Sequence, residues 1–90
     1  SDQMYHLATT QFALEKLPIN QPKEWNNPKT KSTGVVIPTE TFQKSSGEPC
    51  RKYSFHILPD QKVSSGNGLS CRNSKTGKWE SIGTPALSTL

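Results

Sequence analysis

The sequence predicts an α+β domain, one N-terminal helix packed on a four- or five-stranded antiparallel sheet. Three observations carry this. Residues 3–16 place apolar side chains at helical spacing and stop before Pro18. The remainder breaks into short β-branched or alternating segments separated by Gly, Pro, Asn and Ser. In "CRKYSFHIL", Arg51, Tyr53, Phe55 and Ile57 alternate with Lys52, Ser54 and His56, a period of two with one apolar face.

The helix "QMYHLATTQFALEK" offers Met4, Leu7, Ala8, Gln11 and Leu14 as its packing face. Ser1 or Asp2 caps its start. "EWNN" reads as a short strand, and "NPKTKSTG" as a loop marked by Pro28 and Gly34. "GVVIPTETFQ" has strand composition but contains Pro38, which cannot donate to a ladder. That predicts an edge or interrupted strand. An exposed edge over Val35–Phe42 would permit strand addition by a partner, although Pro38 acts against it. "KSSGEP", "PDQK" and "NSKTG" are turns. "VSSGNGLSCR" returns beside "CRKYSFHIL", and "KWESIG" supplies a last strand with Trp79. One domain over residues 1–83 and a tail over 84–90 are expected. Trp25, Phe42, Tyr53, Phe55 and Trp79 are assigned to the core between helix and sheet.

The two cysteines, Cys50 and Cys71, stand alone, each followed by arginine. A four-residue loop from Pro59 to Lys62 makes Leu58 face Val63. Paired positions then sum to 121, and so do 50 and 71. The cysteines fall opposite each other, where Cα atoms lie ~4.5–5.5 Å apart, within the ~4.4–6.8 Å a disulfide accepts. The same register sets Tyr53 against Gly68 and Phe55 against Gly66. The geometry favours a staple, which implies an oxidising compartment. Two free neighbouring thiols in a reducing cell are the alternative. A chain this short buries only roughly 60–65% of its unfolded surface, so a staple would matter.

Other chemistry is thin. Zinc sites use paired cysteine knuckles or nearby histidines, and His6 and His56 are far from both cysteines. His56 falls on the polar face of its strand. No metal site and no cofactor are expected. There is no C-x-x-C, no G-x-S-x-G and no complete glycine-rich phosphate loop. The seven carboxylates are scattered, and an enzyme is not expected. No apolar run approaches the ~18 residues of a membrane helix, and no basic-then-apolar signal peptide lies within these residues, which says nothing about a precursor. The chain opens at Ser1, as a processed product or an excised piece does.

Net charge is +4, with nine lysines among eleven basic residues, and mean hydropathy is −0.72. Scattered lysine is most simply a solvated surface. The sharper reading groups Arg51, Lys52, Lys62, Arg72, Lys75 and Lys78 around the central hairpin and last turn as candidates for an anionic ligand.

Several residues recur in a familiar order: Ala13-Leu14-Glu15, Trp25, Asn27-Pro28, Gly34, Val36, Pro38, Thr41-Phe42-Gln43 and Gly47, then Cys50-Arg51, Tyr53, Gly68, Cys71-Arg72, Gly77 and Trp79. The set resembles the C-terminal domain of the 17-kilodalton surface antigen family, small outer-membrane lipoproteins of Gram-negative bacteria. The likeness covers about residues 12–83. Pro59-Asp60-Gln61 replaces the family's Gly-Gly-like turn, and the last turn is slightly longer. The family's upstream glycine-rich segment and lipobox cysteine are not in these residues, so outer-membrane association would run through a segment outside this chain. The resemblance implies a periplasmic or outer-membrane location and no enzymatic activity.

The expectation is therefore a noncatalytic envelope domain with a structural or interaction role, its partner an envelope protein or polymer. The alternatives are a basic-patch module for an anionic envelope polymer or, less expected, nucleic acid, and an accessory subunit of an envelope secretion system.

Overall fold

A computed structural model describes residues 2–58 and 65–82. The "PDQK" turn, Lys62 and the tail over 84–90 lie outside the described residues. Helix α1 runs Asp2–Lys16. Five strands follow: β1 (Lys23–Asn27), β2 (Ser32–Gln43), β3 (Pro49–Leu58), β4 (Ser65–Arg72) and β5 (Trp79–Ser81). They form one antiparallel meander in chain order. The predicted fold class is the one observed. Among the described residues, no helix is long and apolar enough to cross a membrane.

The core lies between α1 and one face of the sheet. Ala13 and Leu14 meet Val36, Tyr53, Phe55 and Trp79, with Leu17 and Ile57 packed alongside. Alternation puts Trp25, Gly34, Val36, Pro38, Tyr53 and Phe55 on this face. The β3–β4 register is the one the sequence predicts, with Cys50 opposite Cys71, Tyr53 opposite Gly68 and Phe55 opposite Gly66. Tyr53 lies directly over Gly68, and Trp25 over Gly34, so that a Cβ on either glycine would strike the ring. Gly68→Val is expected to cost about 1–3 kcal/mol by overpacking. A fall in the urea midpoint would show it, and an unchanged midpoint would mean that Tyr53 does not pack there.

Three expectations are corrected. The buried face of α1 is His6, Thr9, Thr10, Ala13 and Leu14, not the face running through Met4, Leu7 and Ala8. Met4 is 69% and Leu7 53% exposed. The buried face is polar at its N-terminal end, where Thr10 finds a hydrogen-bond acceptor and His6 an aromatic neighbour. The Thr10 hydroxyl donates to the His6 carbonyl at 2.8 Å, and the His6 ring packs on Phe55, centroids 4.8 Å apart.

Second, the Val35–Phe42 strand is an edge only in part. It lies inside β2, which pairs with both β1 and β3 through Val36 and, among the described residues, with β3 alone from Ile37 onward. Pro38 is tolerated because β1 pairs only as far as Val36. The Pro38 carbonyl accepts from the Asn20 amide at 2.7 Å. In a strand the N–H and C=O of one residue point the same way, so the missing donor of Pro38 falls beyond the end of β1. The β2–β3 register shifts between Pro38 and Glu40, as a bulge requires. Third, Phe42 follows that bulge and is 38% exposed, so it is not a core residue.

Candidate functional site

Each predicted site residue except Lys62, which lies outside the described residues, has a definite place. The sulfurs of Cys50 and Cys71 are bonded. Cys50 precedes inward-facing Arg51, so alternation puts the bridge on the sheet face away from α1.

Arg51 does not belong to a surface patch. It shares the phase of Tyr53 and Phe55 and is 8% exposed. Its Nη1 donates to the carbonyls of Leu14 at 2.8 Å and Ala13 at 3.3 Å, while Nε donates to the Thr41 hydroxyl at 3.0 Å. The last carbonyls of a helix have no intrahelical partner and carry the negative end of its dipole. Arg51 satisfies that of Leu14, adds a second donor to that of Ala13, which already accepts from the Leu17 amide at 3.0 Å, and ties α1 to β3. Burial lowers its pKa from the ordinary value, yet arginine remains charged.

The other basic candidates separate. Lys52 faces outward beside Glu40, N to O 3.6 Å. Arg72 donates to Glu15 at 3.0 Å. Lys75 and Lys78 are exposed on the β4–β5 turn and form no ion pair among the described residues. The structure thus divides the cluster between interior, paired surface and turn.

Sequence reasoning missed a junction between α1 and β5. The Trp79 amide donates to Gln11 Oε1 at 2.9 Å, and Gln11 Nε2 donates to the Trp79 carbonyl at 2.6 Å. A side-chain amide thereby stands in for a neighbouring strand along the open edge of β5. Glu15 accepts from Trp79 Nε1 at 2.9 Å as well as from Arg72. These bonds, Trp79 first, hold the Glu15 carboxyl below its usual pKa. At the other end of α1, the Asp2 carboxylate accepts from Asn27 Nδ2 at 2.7 Å and the Thr30 hydroxyl at 2.8 Å, and its pKa is lowered, chiefly by Thr30.

A shallow groove of about 220 Å³ on the outer sheet face is lined by Glu24, Asn26, Thr33, Gly34, Val35, His56 and Leu58. It gathers a histidine, a carboxylate and a hydroxyl. However, Glu24 and His56 lie on strands β1 and β3, both opposite Val35 of β2. Two strand spacings of ~4.8 Å separate them, too far for one to orient the other directly. Among the described residues, no three of His, Cys, Asp and Glu gather as metal ligands.

His6 is 5% exposed, and its Nδ1 has no partner among the described residues. Burial lowers its pKa from 6.5. The folded state therefore disfavours protonation, and stability is lost as pH falls below ~6.5 toward the folded value. Urea midpoints are expected to be lower near pH 5.5 than near pH 7.5, with much of the difference removed in His6→Phe. An equal difference in the variant would assign the effect to other groups.

The model of the family described as 17 kDa outer membrane surface antigen matches residues 12–80. The 17 kDa surface antigens of Rickettsia conorii and Rickettsia prowazekii are 34% identical over 74 residues, covering 82% of this chain and 46% of each antigen. That of Rickettsia bellii is 30% identical over the same coverage. The chain spans about half the length of the curated relatives it matches. No solved structure matches. The helix end at Ala13–Glu15, the Pro38 strand, the two Cys-Arg pairs and Trp79 all fall within or at the margin of the matched region, and the chain belongs to the 17 kDa outer membrane surface antigen family.

Proposed function

We propose that this chain is a noncatalytic domain of the bacterial cell envelope, located in the periplasm or at the outer membrane, with a structural or interaction role. The Cys50–Cys71 bridge carries the reading. A disulfide in a small polar domain fits an oxidising compartment, and the family's description places its members at the outer membrane. The interior and junction polar groups support a noncatalytic role. Arg51, Gln11, Glu15 and Asp2 each hold one element against another, which leaves them unavailable to a substrate.

The partner is an envelope protein or polymer. An anionic polymer is the second reading, and exposed Lys75 and Lys78 favour it. Cell fractionation tests the main proposal. The chain is expected in the envelope fraction of the cells that carry it. Recovery from the cytosol would overturn it. Co-purification with a large assembly would point instead to an accessory subunit of a secretion system.

A further inference from the structure

Helix α1 is apolar outward where a solvent-facing helix is ordinarily polar. Met4, Ala8, Phe12 and Lys16, each four residues apart, form one exposed ridge with Leu7 beside it. Leu7 is 53% and Phe12 44% exposed, and Ile19, just past the helix, is 45% exposed. The opposite face buries His6, Thr9 and Thr10.

Charge is arranged around this ridge. Lys16 ends it, and Lys23 Nζ lies 5.1 Å from the centre of the Phe12 ring. Of the two acids of α1, Asp2 is engaged by Asn27 and Thr30 at the far end, and Glu15, which lines the same hollow as Phe12 and Lys16, is held by Trp79 and offset by Arg72. Glu24 neighbours Lys23 in β1, but alternation sends it to the outer sheet face. The end of the ridge at Phe12 is therefore apolar and positive.

We propose that the outward face of α1 rests on an anionic lipid surface. Leu7, Phe12 and Ile19 enter the headgroup layer, and Lys16 and Lys23 meet its phosphates. This is the chemistry of an interfacial helix, apolar side chains bordered by lysine. A second copy of the chain fits less well. A stable interface takes roughly 20–30 residues a side, whereas this ridge offers a handful. The proposal rests on the envelope reading and deepens it, because it gives the domain a membrane contact of its own.

The test is co-sedimentation of the oxidised 90-residue chain with phosphatidylethanolamine vesicles, with and without phosphatidylglycerol. Binding is expected only where phosphatidylglycerol is present, and it should fall with added salt. Lys16→Glu with Lys23→Glu should weaken it at least about tenfold. Leu7→Ser with Phe12→Ser should weaken it roughly a hundredfold. Ala8→Glu puts a charge in the middle of the ridge at an exposed position, and should weaken binding about tenfold with an unchanged melting curve.

Absence of sedimentation with phosphatidylglycerol vesicles would overturn the proposal. So would an Ala8→Glu chain that binds as well as the original. A concentration-dependent dimer abolished by Ala8→Glu, without lipid binding, would assign the ridge to self-association and overturn it too. Fractionation separates the two readings: an envelope-located chain that ignores vesicles ends the lipid contact alone, whereas a cytosolic chain ends both.

Discussion

Arg51→Ala is expected to lower the unfolding free energy by about 3 kcal/mol, measured by urea denaturation. Charged hydrogen bonds to Leu14, Ala13 and Thr41 vanish together, and the Leu14 carbonyl loses its donor in a buried place. Lysine keeps the charge but loses the planar fork, so Arg51→Lys should recover only part of the loss. Lys52→Ala is the control. Lys52 is the next residue along, but its ion pair with Glu40 is half-exposed on both sides. Such pairs contribute about 0–1 kcal/mol. Equal effects at 51 and 52 would show that Arg51 does not join helix to sheet.

Cys50→Ser combined with Cys71→Ser is expected to cost about 3 kcal/mol, the loop-closure value for some twenty residues in the chain-entropy model. Among the described residues the central cluster that remains has six buried members, so the reduced domain should unfold at markedly lower urea. A midpoint within error of the oxidised chain would show that the sheet register holds without the bridge. The two losses should be nearly additive only if the sites are independent. Arg51 directly follows Cys50 in β3, so coupling between them is expected.

The β3–β4 hairpin was legible because two constraints agreed. The alternation of Tyr53, Phe55 and Ile57 fixed the inward face, and assuming a four-residue hairpin loop gave the register that sets Cys50 opposite Cys71. Arg51 was legible too, since the same alternation put it in phase with Tyr53. Placing it on the surface followed its residue type against its period, and the unpaired helix carbonyls explain why the period won.

The helix face was not legible. Periodicity ranks apolar above polar, but His6, Thr9 and Thr10 are buried. The His6 ring packs on Phe55 and the Thr10 hydroxyl bonds the His6 carbonyl, and neither contact shows in an apolar period. The Gln11–Trp79 pair joins residues 68 apart in sequence. No local pattern announces such a contact. Pro38 was read correctly as unable to donate, but whether β1 reaches it depends on where β1 stops, which is a tertiary fact.

The most direct measurement is a count of free thiols on unfolded, unreduced protein recovered from its native compartment. None is expected, with the mass of an intact monomer. Two free thiols would contradict this, removing the staple from the native fold and the oxidising compartment from the proposed location.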